Sequence, residues 1–249
     1  MMQRLFPVYA GRLRFADTVS TLSLFSRKIR SYQESMDNSQ RGISSDRRVN
    51  ETDDVKNWIK EGKCFELTET CKLVLLEGDI TKWHIDGQTD AIVNAANSRL
   101  LGGAGVDGAI HDAAGPELRE ACRQIPEVTR GVRCPTGEAR ISRGFRLPVS
   151  RIIHTVGPIY WNNSQAVKQL TDSYKNSCSL AVQEGVQYIA FPAISCGIYG
   201  YPVEEAATVA LKAVKKCSAG LQEVHFVLFQ QKPYFTWLEE AEKTLKKIQ

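Results

Sequence analysis

The sequence predicts an α/β domain of three layers, in which helices cover both faces of a central sheet. From residue 64 onward, short apolar runs alternate with longer helical segments, and several runs are too continuously apolar to have a solvated face. Helix and strand alternate strictly in the second half of the chain, which forces neighbouring strands to pair in parallel. Ligands are then expected in the loops beyond the carboxyl ends of the strands.

Six segments are predicted to be strands and five to be helices. The short apolar runs predict strands at residues 72–76, 90–94, 139–142, 151–156, 188–192 and 224–229. The longer segments predict helices at residues 107–114, 116–123, 166–184, 203–217 and 235–248. The domain is therefore expected to occupy residues 57–249, with folding beginning near Trp58.

The first 56 residues differ in composition from the rest. Residues 1–33 carry six basic side chains and a single acid, Asp17, with Ser and Thr interleaved, which is typical of a transit peptide for a mitochondrion or a plastid. A disordered extension without an address is the alternative, and the chain would then be cytoplasmic or nuclear. Residues 34–56 are polar and nearly without large apolar side chains, which predicts a linker.

Charge and cysteine usage argue against several classes of protein. The formal net charge of +4 arises in residues 1–60, which hold 11 Lys/Arg against 7 Asp/Glu, whereas residues 61–249 hold 21 of each. The neutral domain does not support nucleic-acid binding. The seven cysteines form no C-x-x-C pair, so neither a secreted disulfide framework nor a zinc ribbon is indicated. No run approaches 18 apolar residues, and no membrane partner is expected.

Two glycine-rich loops predict a cradle for a diphosphate. Residues 101–111, LGGAGVDGAIH, lead from a strand into a helix, and residues 195–200, SCGIYG, again follow a strand and precede a helix. Glycines tolerate positive φ and let backbone N–H groups approach an anion, and a helix N-terminus adds about half a positive charge. Tight turns that packing alone requires are the alternative for either loop.

The first loop also satisfies the G-x-G-x-x-G pattern of dinucleotide-dependent dehydrogenases, at Gly103, Gly105 and Gly108. In that fold the first glycine follows its strand almost directly, and a second strand ending in an acid comes about 20 residues later. Here residues 97–101 intervene, and residues 116–135 are polar and not strand-like. The loop therefore indicates affinity for a diphosphate-bridged nucleotide rather than hydride transfer.

Four sequence blocks occur in one order: LEGDIT at 76–81, DAIVNAAN at 90–97, LGGAGVDGAIHDAAG at 101–115 and FPAISCGIYGYP at 191–202. These blocks resemble those of the macrodomain family, and the similarity covers residues 64–249. The MacroD-type group is the most similar, and its members bind ADP-ribose and hydrolyse it from mono-ADP-ribosylated proteins. The resemblance implies a mixed, largely parallel central sheet, no cofactor and no metal ion.

The resemblance also implies which residues contact the ligand. Asp79 would accept a hydrogen bond from the adenine amine while the backbone of Ile80 approaches the ring, and Phe229 would pack against the adenosine portion. An Asx-turn or N-cap role for Asp79 and a core position for Phe229 are the alternatives. The two phosphate loops would comprise Gly103, Ala104, Gly105 and Val106, and Ser195, Cys196, Gly197, Ile198 and Tyr199.

Asp107 and Asn97 are the candidate catalytic residues. By the resemblance, Asn97 holds the distal ribose, and Asp107 stands near it where the first loop becomes a helix, whereas Asn94 is expected to be structural. Water would attack the anomeric carbon or the ester carbonyl, with Asp107 orienting or deprotonating it. A helix N-cap role for Asp107 is the alternative and can coexist with catalysis.

Three further residues carry expectations of their own. Ala104 replaces a glycine that the family often has, so a negative φ is expected there. Cys196 replaces a small hydroxyl residue, and it is either a side chain small enough to free its backbone N–H or a thiol nucleophile. His111, four residues after Asp107, is expected to be buried and hydrogen-bonded.

The leading hypothesis is a hydrolase that removes single ADP-ribose groups from acidic side chains, and the same chemistry extends to deacetylation of O-acetyl-ADP-ribose. A reader that binds ADP-ribose without turnover and an ADP-ribose-1″-phosphate phosphatase are the alternatives. An acid beside the distal ribose argues against the reader, and the neutral charge of the domain argues against the phosphatase. The expected partners are ADP-ribose and mono-ADP-ribosylated proteins, and the oligomeric state is left open.

Overall fold

The computed structural model describes residues 62–248, so the predicted transit peptide, the linker and the expected start of the domain at residue 57 lie outside the described residues. The strands are β1 (Lys63–Glu66), β2 (Lys72–Glu77), β3 (Asp90–Ala95), β4 (Ala139–Arg143), β5 (Arg151–Thr155), β6 (Tyr188–Phe191), β7 (Glu223–Leu228) and β8 (Lys246–Lys247). The helices are α1 (Val106–Ala114), α2 (Pro116–Gln124), α3 (Ala166–Gln183), α4 (Val203–Cys217) and α5 (Gln231–Thr244), and a 3₁₀ helix (Ile80–Lys82) follows β2.

The eight described strands form one sheet in the order β4-β5-β3-β6-β7-β2-β1-β8. The five central strands, β5, β3, β6, β7 and β2, pair in parallel. The outer strands join through antiparallel pairs, β4 with β5 and β1 with β2 and β8. The predicted fold, three-layer α/β/α with a mixed and largely parallel sheet, is confirmed, and the carboxyl ends of the central strands meet at one edge.

Two apolar layers lie on opposite faces of this sheet. Alternation along β2 directs Leu73 and Leu75 into the layer formed with α3, α4 and α5. Val74 and Leu76 enter the layer formed with the 3₁₀ helix, α1 and α2. Burial on both faces explains why the central strands are continuously apolar in sequence. The helix pair α1 and α2 therefore covers one face alone, next to the first glycine-rich loop.

The predicted boundaries agree with the structure to within one residue at every element except the last helix. That helix begins at Gln231 and ends at Thr244, four residues earlier at each end than predicted, and Lys246–Lys247 are extended in β8. There Lys247 pairs with Phe65 of β1, a second strand that the sequence did not indicate. Both β1 and β8 are short and carry exposed residues, so they lack the apolar pattern that marks a central strand. No helix within residues 62–248 has the length and apolarity needed to cross a bilayer.

Candidate functional site

The predicted site residues follow four neighbouring parallel strands. Asn97 comes after β3, Ser195 after β6, Phe229 after β7 and Asp79 after β2. Since these strands are adjacent in the order β3-β6-β7-β2, the four positions form a row along the carboxyl edge of the sheet. Neighbouring strands are about 4.8 Å apart, so the row extends over about 14 Å. The topology therefore suits an elongated ligand.

Asp107 lies at the β3 end of this row, in the first turn of α1. Its side chain is buried, and its Oδ1 accepts a hydrogen bond from Asn94 Nδ2 at 2.8 Å. Its Oδ2 accepts one from Asn97 Nδ2 at 3.2 Å, and Asn97 also donates to the carbonyl of Gly102 at 3.0 Å. The N-cap alternative for Asp107 is wrong, because the N-cap residue is Gly105 and no side chain caps this helix. The two candidate catalytic residues are thus in direct contact.

Burial sets the ionisation of Asp107. Desolvation raises the pKa of this carboxyl, and the hydrogen bond from Asn94 and the nearby side chains of His111 and Arg119 oppose the rise without cancelling it. A carboxyl with a raised pKa is a stronger base than an ordinary aspartate when it is ionised. The site therefore holds a carboxylate suited to accept a proton from water.

Asn94 belongs to the site, although the sequence indicated only a structural role. It lies in β3 and is completely buried, and its Nδ2 also lies 3.1 Å from His154 Nδ1. His154 Nε2 in turn lies 2.9 Å from Ser142 Oγ. Burial lowers the pKa of His154 to about 3, so the ring is neutral and carries its proton on Nε2 when Nδ1 accepts from Asn94. The sequence signal for Asn94 was an amide in an otherwise apolar central strand.

His111 lies one helical turn after Asp107 and is buried, as expected. Its Nε2 is 3.6 Å from Asp107 Oδ1, and neither ring nitrogen has a hydrogen-bond partner among the described residues. The expectation of a hydrogen-bonded histidine is therefore wrong. Burial lowers the pKa of His111, and the negative charge of Asp107 opposes this shift only in part. A neutral ring beside the carboxylate is the result.

The first glycine-rich loop lies against the Asn97–Asp107 pair. A Cβ on Gly103 would stand 2.9 Å from Asp107 Oδ2 and 3.2 Å from Asn97 Nδ2, so a larger residue here would displace the carboxylate or the amide. Gly105 has a φ of 67°, which also favours glycine, whereas Ala104 avoids positive φ as expected. The N–H groups of residues 104–108 have no acceptor within the described part of the chain. This arrangement is typical of an anion site at a helix N-terminus.

The second loop contains a strained residue. Ser195 has a φ of 66°, which non-glycine residues rarely adopt, and its buried Oγ has no hydrogen-bond partner among residues 62–248. The N–H groups of Gly197, Ile198 and Tyr199 have no backbone acceptor in the same range. Strain and unmade hydrogen bonds together indicate a loop shaped for a ligand.

Cys196 differs from both expectations for it. Its N–H donates to the carbonyl of Ala193 at 3.2 Å, so the expectation of a free backbone N–H at this position is wrong. Burial raises the pKa of its thiol to about 12, and its Sγ donates to the carbonyl of Ile194 at 3.6 Å. A protonated thiol is a poor nucleophile. The structure therefore does not support thiol catalysis.

The two loops approach each other at Tyr199. Burial, and then the charge of Asp107, raise the pKa of the Tyr199 hydroxyl, which places this ring within electrostatic reach of the Asp107 carboxyl. Ile198, its neighbour in the loop, is partly exposed. The second loop thus has one side chain that interacts electrostatically with Asp107.

The far end of the row is formed by Asp79 and Phe229. Asp79 Oδ1 accepts from the N–H and the hydroxyl of Thr81, at 2.9 and 2.8 Å, which confirms the N-cap role before the 3₁₀ helix. Its Oδ2 has no partner in the described residues. The N–H of Gly78 donates to the carbonyl of Leu228, so Asp79 stands next to the end of β7. Phe229 is 77% exposed there, and its alternative as a core aromatic is wrong.

The position of Ile80 matches its expected role less directly. Its side chain is 4% exposed and packs in the layer with α1 and α2, which leaves only its backbone for the contact with a ring.

No group of three or more His, Cys, Asp or Glu side chains within the described range is arranged to hold a metal ion.

Comparison with known proteins gives the family. The family model described as the Macro domain matches residues 93–210. A macro domain-containing protein of Xanthomonas campestris is 54% identical over 141 residues, which cover 56% of this chain and 76% of that protein. The chain belongs to the macro domain family. A second macro domain-containing protein, from Ralstonia nicotianae, is 48% identical over 176 residues. This alignment covers 69% of the present macro domain chain and 97% of the Ralstonia protein.

Solved structures of macro domains have the same fold. A macrodomain of Oceanobacillus iheyensis with ADP superposes with a TM-score of 0.67 at 40% identity, covering 74% of this chain and 96% of that one. A macrodomain of Trypanosoma brucei in complex with ADP-ribose gives a TM-score of 0.57 at 38% identity, covering 67% and 68%. The matched segment 93–210 of the macro domain model contains both glycine-rich loops, Asn97 and Asp107.

Proposed function

We propose that this chain binds ADP-ribose along the row from Asp79 to Asn97 and hydrolyses single ADP-ribose groups from glutamate and aspartate side chains of proteins. Solved macro domains hold ADP and ADP-ribose, which supports the choice of ligand. The order of the site residues along the row supports one orientation of the ligand. Adenine would lie between Asp79 and Phe229 at the β2 and β7 ends, and the distal ribose would lie at Asn97 beyond β3.

The diphosphate would lie between these ends, against the two glycine-rich loops. Unpaired N–H groups at the start of α1 and at Gly197, Ile198 and Tyr199 are suitable donors to its oxygens. A helix N-terminus also contributes about half a positive charge, which compensates an anion without a lysine or an arginine. The buried and unpaired Ser195 Oγ is a further donor at the same place.

The contact between Asn97 and Asp107 is the observation that favours hydrolysis over binding alone. A buried carboxylate close to a diphosphate site weakens the binding of an anion, because the like charges repel each other in a medium of low dielectric. A reader would gain affinity without it. In a hydrolase the same carboxylate has a use, since it can take a proton from the attacking water.

In the proposed reaction, Asn97 holds the distal ribose and Asp107 deprotonates a water molecule that attacks the anomeric carbon or the ester carbonyl. If the anomeric carbon is attacked, the bond from this carbon to the side-chain oxygen breaks and the protein carboxylate leaves. Carboxylates have pKa values near 4 and leave without protonation, so a single base is sufficient. Positive charge on the ribose ring would be stabilised by the neighbouring diphosphate.

The testing experiment uses a protein that carries mono-ADP-ribose on one glutamate, incubated with the chain without added metal, and measures free ADP-ribose. We expect release by the unsubstituted chain and also release of acetate from O-acetyl-ADP-ribose, which contains a comparable ester. Tight binding of ADP-ribose with no release from any linkage would identify the chain as a reader that binds ADP-ribose without turnover. If the only reaction is release of phosphate from ADP-ribose-1″-phosphate, the chain is a phosphatase.

A further inference from the structure

An arginine-lined groove, formed by two adjoining cavities, lies beside the β3 end of the site. The first has a volume of about 360 Å³ and is lined by Asn97, Arg99, Leu101, Gly102, Arg119 and Arg123. The second has a volume of about 460 Å³, shares Arg119 and Arg123 with the first and adds His111 and Arg146. The groove thus contains four guanidinium groups, although residues 61–249 have no net charge.

Two of these arginines form no direct ion pair among the described residues, although Arg119 is near enough to Asp107 to lower the pKa of its carboxyl. Within residues 62–248, neither Arg99 nor Arg119 forms an ion pair or a side-chain hydrogen bond, and a Cβ on Gly102 would lie 3.4 Å from Arg119 Nη2. The guanidinium of Arg119 therefore extends to the backbone next to the first loop. Arg123 pairs with Glu120 at 3.2 Å and Arg146 with Glu117 at 3.0 Å, and all four of these side chains are at least half exposed. Exposed pairs of this kind are weak and exchange readily for another carboxylate.

The spacing of Arg119 and Arg123 has no structural benefit. They are four residues apart on α2, so they lie on the same face, and like charges at this spacing destabilise a helix slightly. The buried Leu118 and Cys122 anchor α2 on a face about 100° around the helix from these two arginines. Asp112, which is exposed on α1, is the one acid that lines the groove. Arg99 and Arg119 therefore leave positive charge in the groove that no ion pair within residues 62–248 neutralises.

We infer that this groove binds carboxylate side chains flanking the modified residue, so that the preferred substrates are ADP-ribosylated within acidic segments. This inference rests on the proposed function, because the groove begins at Asn97, where the distal ribose and the attached side chain would lie. Guanidinium groups bind carboxylates through two parallel hydrogen bonds. Four such groups along two cavities that share Arg119 and Arg123 suit an extended peptide that carries more than one acid.

The test compares two peptides that carry ADP-ribose on the same central glutamate, one flanked by Asp and Glu and the other by Asn and Gln. Affinities are measured in the Asp107→Asn chain, so that the ester survives the titration. We expect the acidic peptide to bind about tenfold more tightly, which corresponds to about 1.4 kcal/mol. The preference should decrease markedly between 0.05 and 0.5 M salt, because the charges of the groove are accessible to ions.

The double substitution Arg119→Gln and Arg123→Gln, added to the same chain, should abolish the preference between the peptides. Any effect of these substitutions on the ADP-ribose site itself acts on both peptides equally, so the ratio of affinities isolates the groove. The matched control is Lys212→Gln with Lys216→Gln, which removes two exposed positive charges at the same spacing from α4, on the opposite face of the sheet. This control should keep the preference.

Equal affinities for the two peptides would overturn the inference, as would a preference that the arginine substitutions leave intact. A single-stranded RNA oligonucleotide serves as a further probe. Tight RNA binding that requires Arg119 and Arg123, together with equal peptide affinities, would assign the groove to nucleic acid instead. Release of ADP-ribose by the unsubstituted chain is measured separately, so failure of the hydrolase proposal is distinguishable from failure of the groove.

Discussion

Asn97 Nδ2 donates a hydrogen bond to Asp107 Oδ2 over 3.2 Å, although the two residues are ten positions apart in the chain. The intervening loop turns back at Gly102 and Gly105, both with positive φ, so that the start of α1 lies over the end of β3. Asn94 holds the other carboxylate oxygen from inside β3. Two amides thereby fix the plane of one buried carboxylate, and this relationship is the basis of the first two predictions.

Substitution of Asp107 by alanine should separate turnover from binding. We expect release of ADP-ribose to slow by about 10²- to 10⁴-fold, the usual contribution of a positioned general base. Affinity for ADP-ribose, measured by calorimetry, should stay the same or increase, because a negative charge near the diphosphate is removed. Asp172→Ala, which removes an acid that pairs with Lys168 on the surface of α3, is the control and should leave both quantities unchanged. Full turnover in Asp107→Ala would disprove the assigned base.

Substitution of Asn94 by alanine should change the pH dependence of the reaction. The Asn94 hydrogen bond lowers the pKa of Asp107, so its loss raises that pKa further. The base must be ionised to act, and the acid limb of the pH–rate profile should therefore move to higher pH, with a greater loss of rate at pH 6 than at pH 8. Ser142→Ala, which removes the contact at the far side of His154, should leave the limb in place. An unshifted limb in Asn94→Ala would show that Asn94 has only a structural role.

Asp79 should contribute to ADP-ribose affinity and, separately, to the stability of the 3₁₀ helix. Asp79→Ala should weaken ADP-ribose binding by about one to two decades, because a hydrogen bond to a charged group contributes about 1.5–3 kcal/mol. Thr81→Val removes the hydroxyl that donates to Asp79 Oδ1 and should lower the melting temperature with little change in affinity. If calorimetry shows equal losses of affinity in the two variants, Asp79 acts through the 3₁₀ helix and adenine is recognised elsewhere.

His154 should make the folded domain sensitive to acid. Its pKa in the fold is about 3 against an ordinary value of 6.5, so the unfolded chain gains a proton below pH 6.5 that the folded chain does not. Stability should then fall with decreasing pH by up to about 1.4 kcal/mol per unit until about pH 3. Denaturant unfolding between pH 7 and pH 4 should show a smaller slope in His154→Gln. The exposed His84→Gln is the control, and a slope that equals that of the unsubstituted chain in both variants would contradict the prediction.

The N-terminal segment provides a fifth prediction. We propose that residues 1–33 direct the chain to an organelle and that residues 34–56 link this address to the domain, on the composition of the sequence. Deletion of residues 1–56 should then abolish import of a fluorescent fusion while ADP-ribose binding stays intact. A fusion with the complete N-terminus that remains cytosolic would refute the address. Loss of binding on deletion would show instead that this segment contributes to the domain.

Much of the fold could be read from local patterns. Continuous apolar runs identified the central strands, and strict alternation with helices indicated parallel pairing, because both patterns follow from burial on two faces of a sheet. Strands β1 and β8, which lie beyond β2 in the sheet, could not be found in this way. They are short, and β8 exists through pairing of Lys246–Lys247 with a strand about 180 residues away, where local helical periodicity would have continued α5.

By itself, the sequence determined the two glycine-rich loops, their positions after strands and the identity of Asn97 and Asp107 as candidates. Only the tertiary structure decided what these residues contact. The raised pKa of Asp107, the role of Asn94 and the unpaired Ser195 Oγ depend on burial by distant segments, and the arginine groove depends on α2 lying beside the first loop. The physical reason is that periodicity and turn chemistry act between near neighbours in the chain, whereas desolvation and electrostatic interactions depend on distances in space.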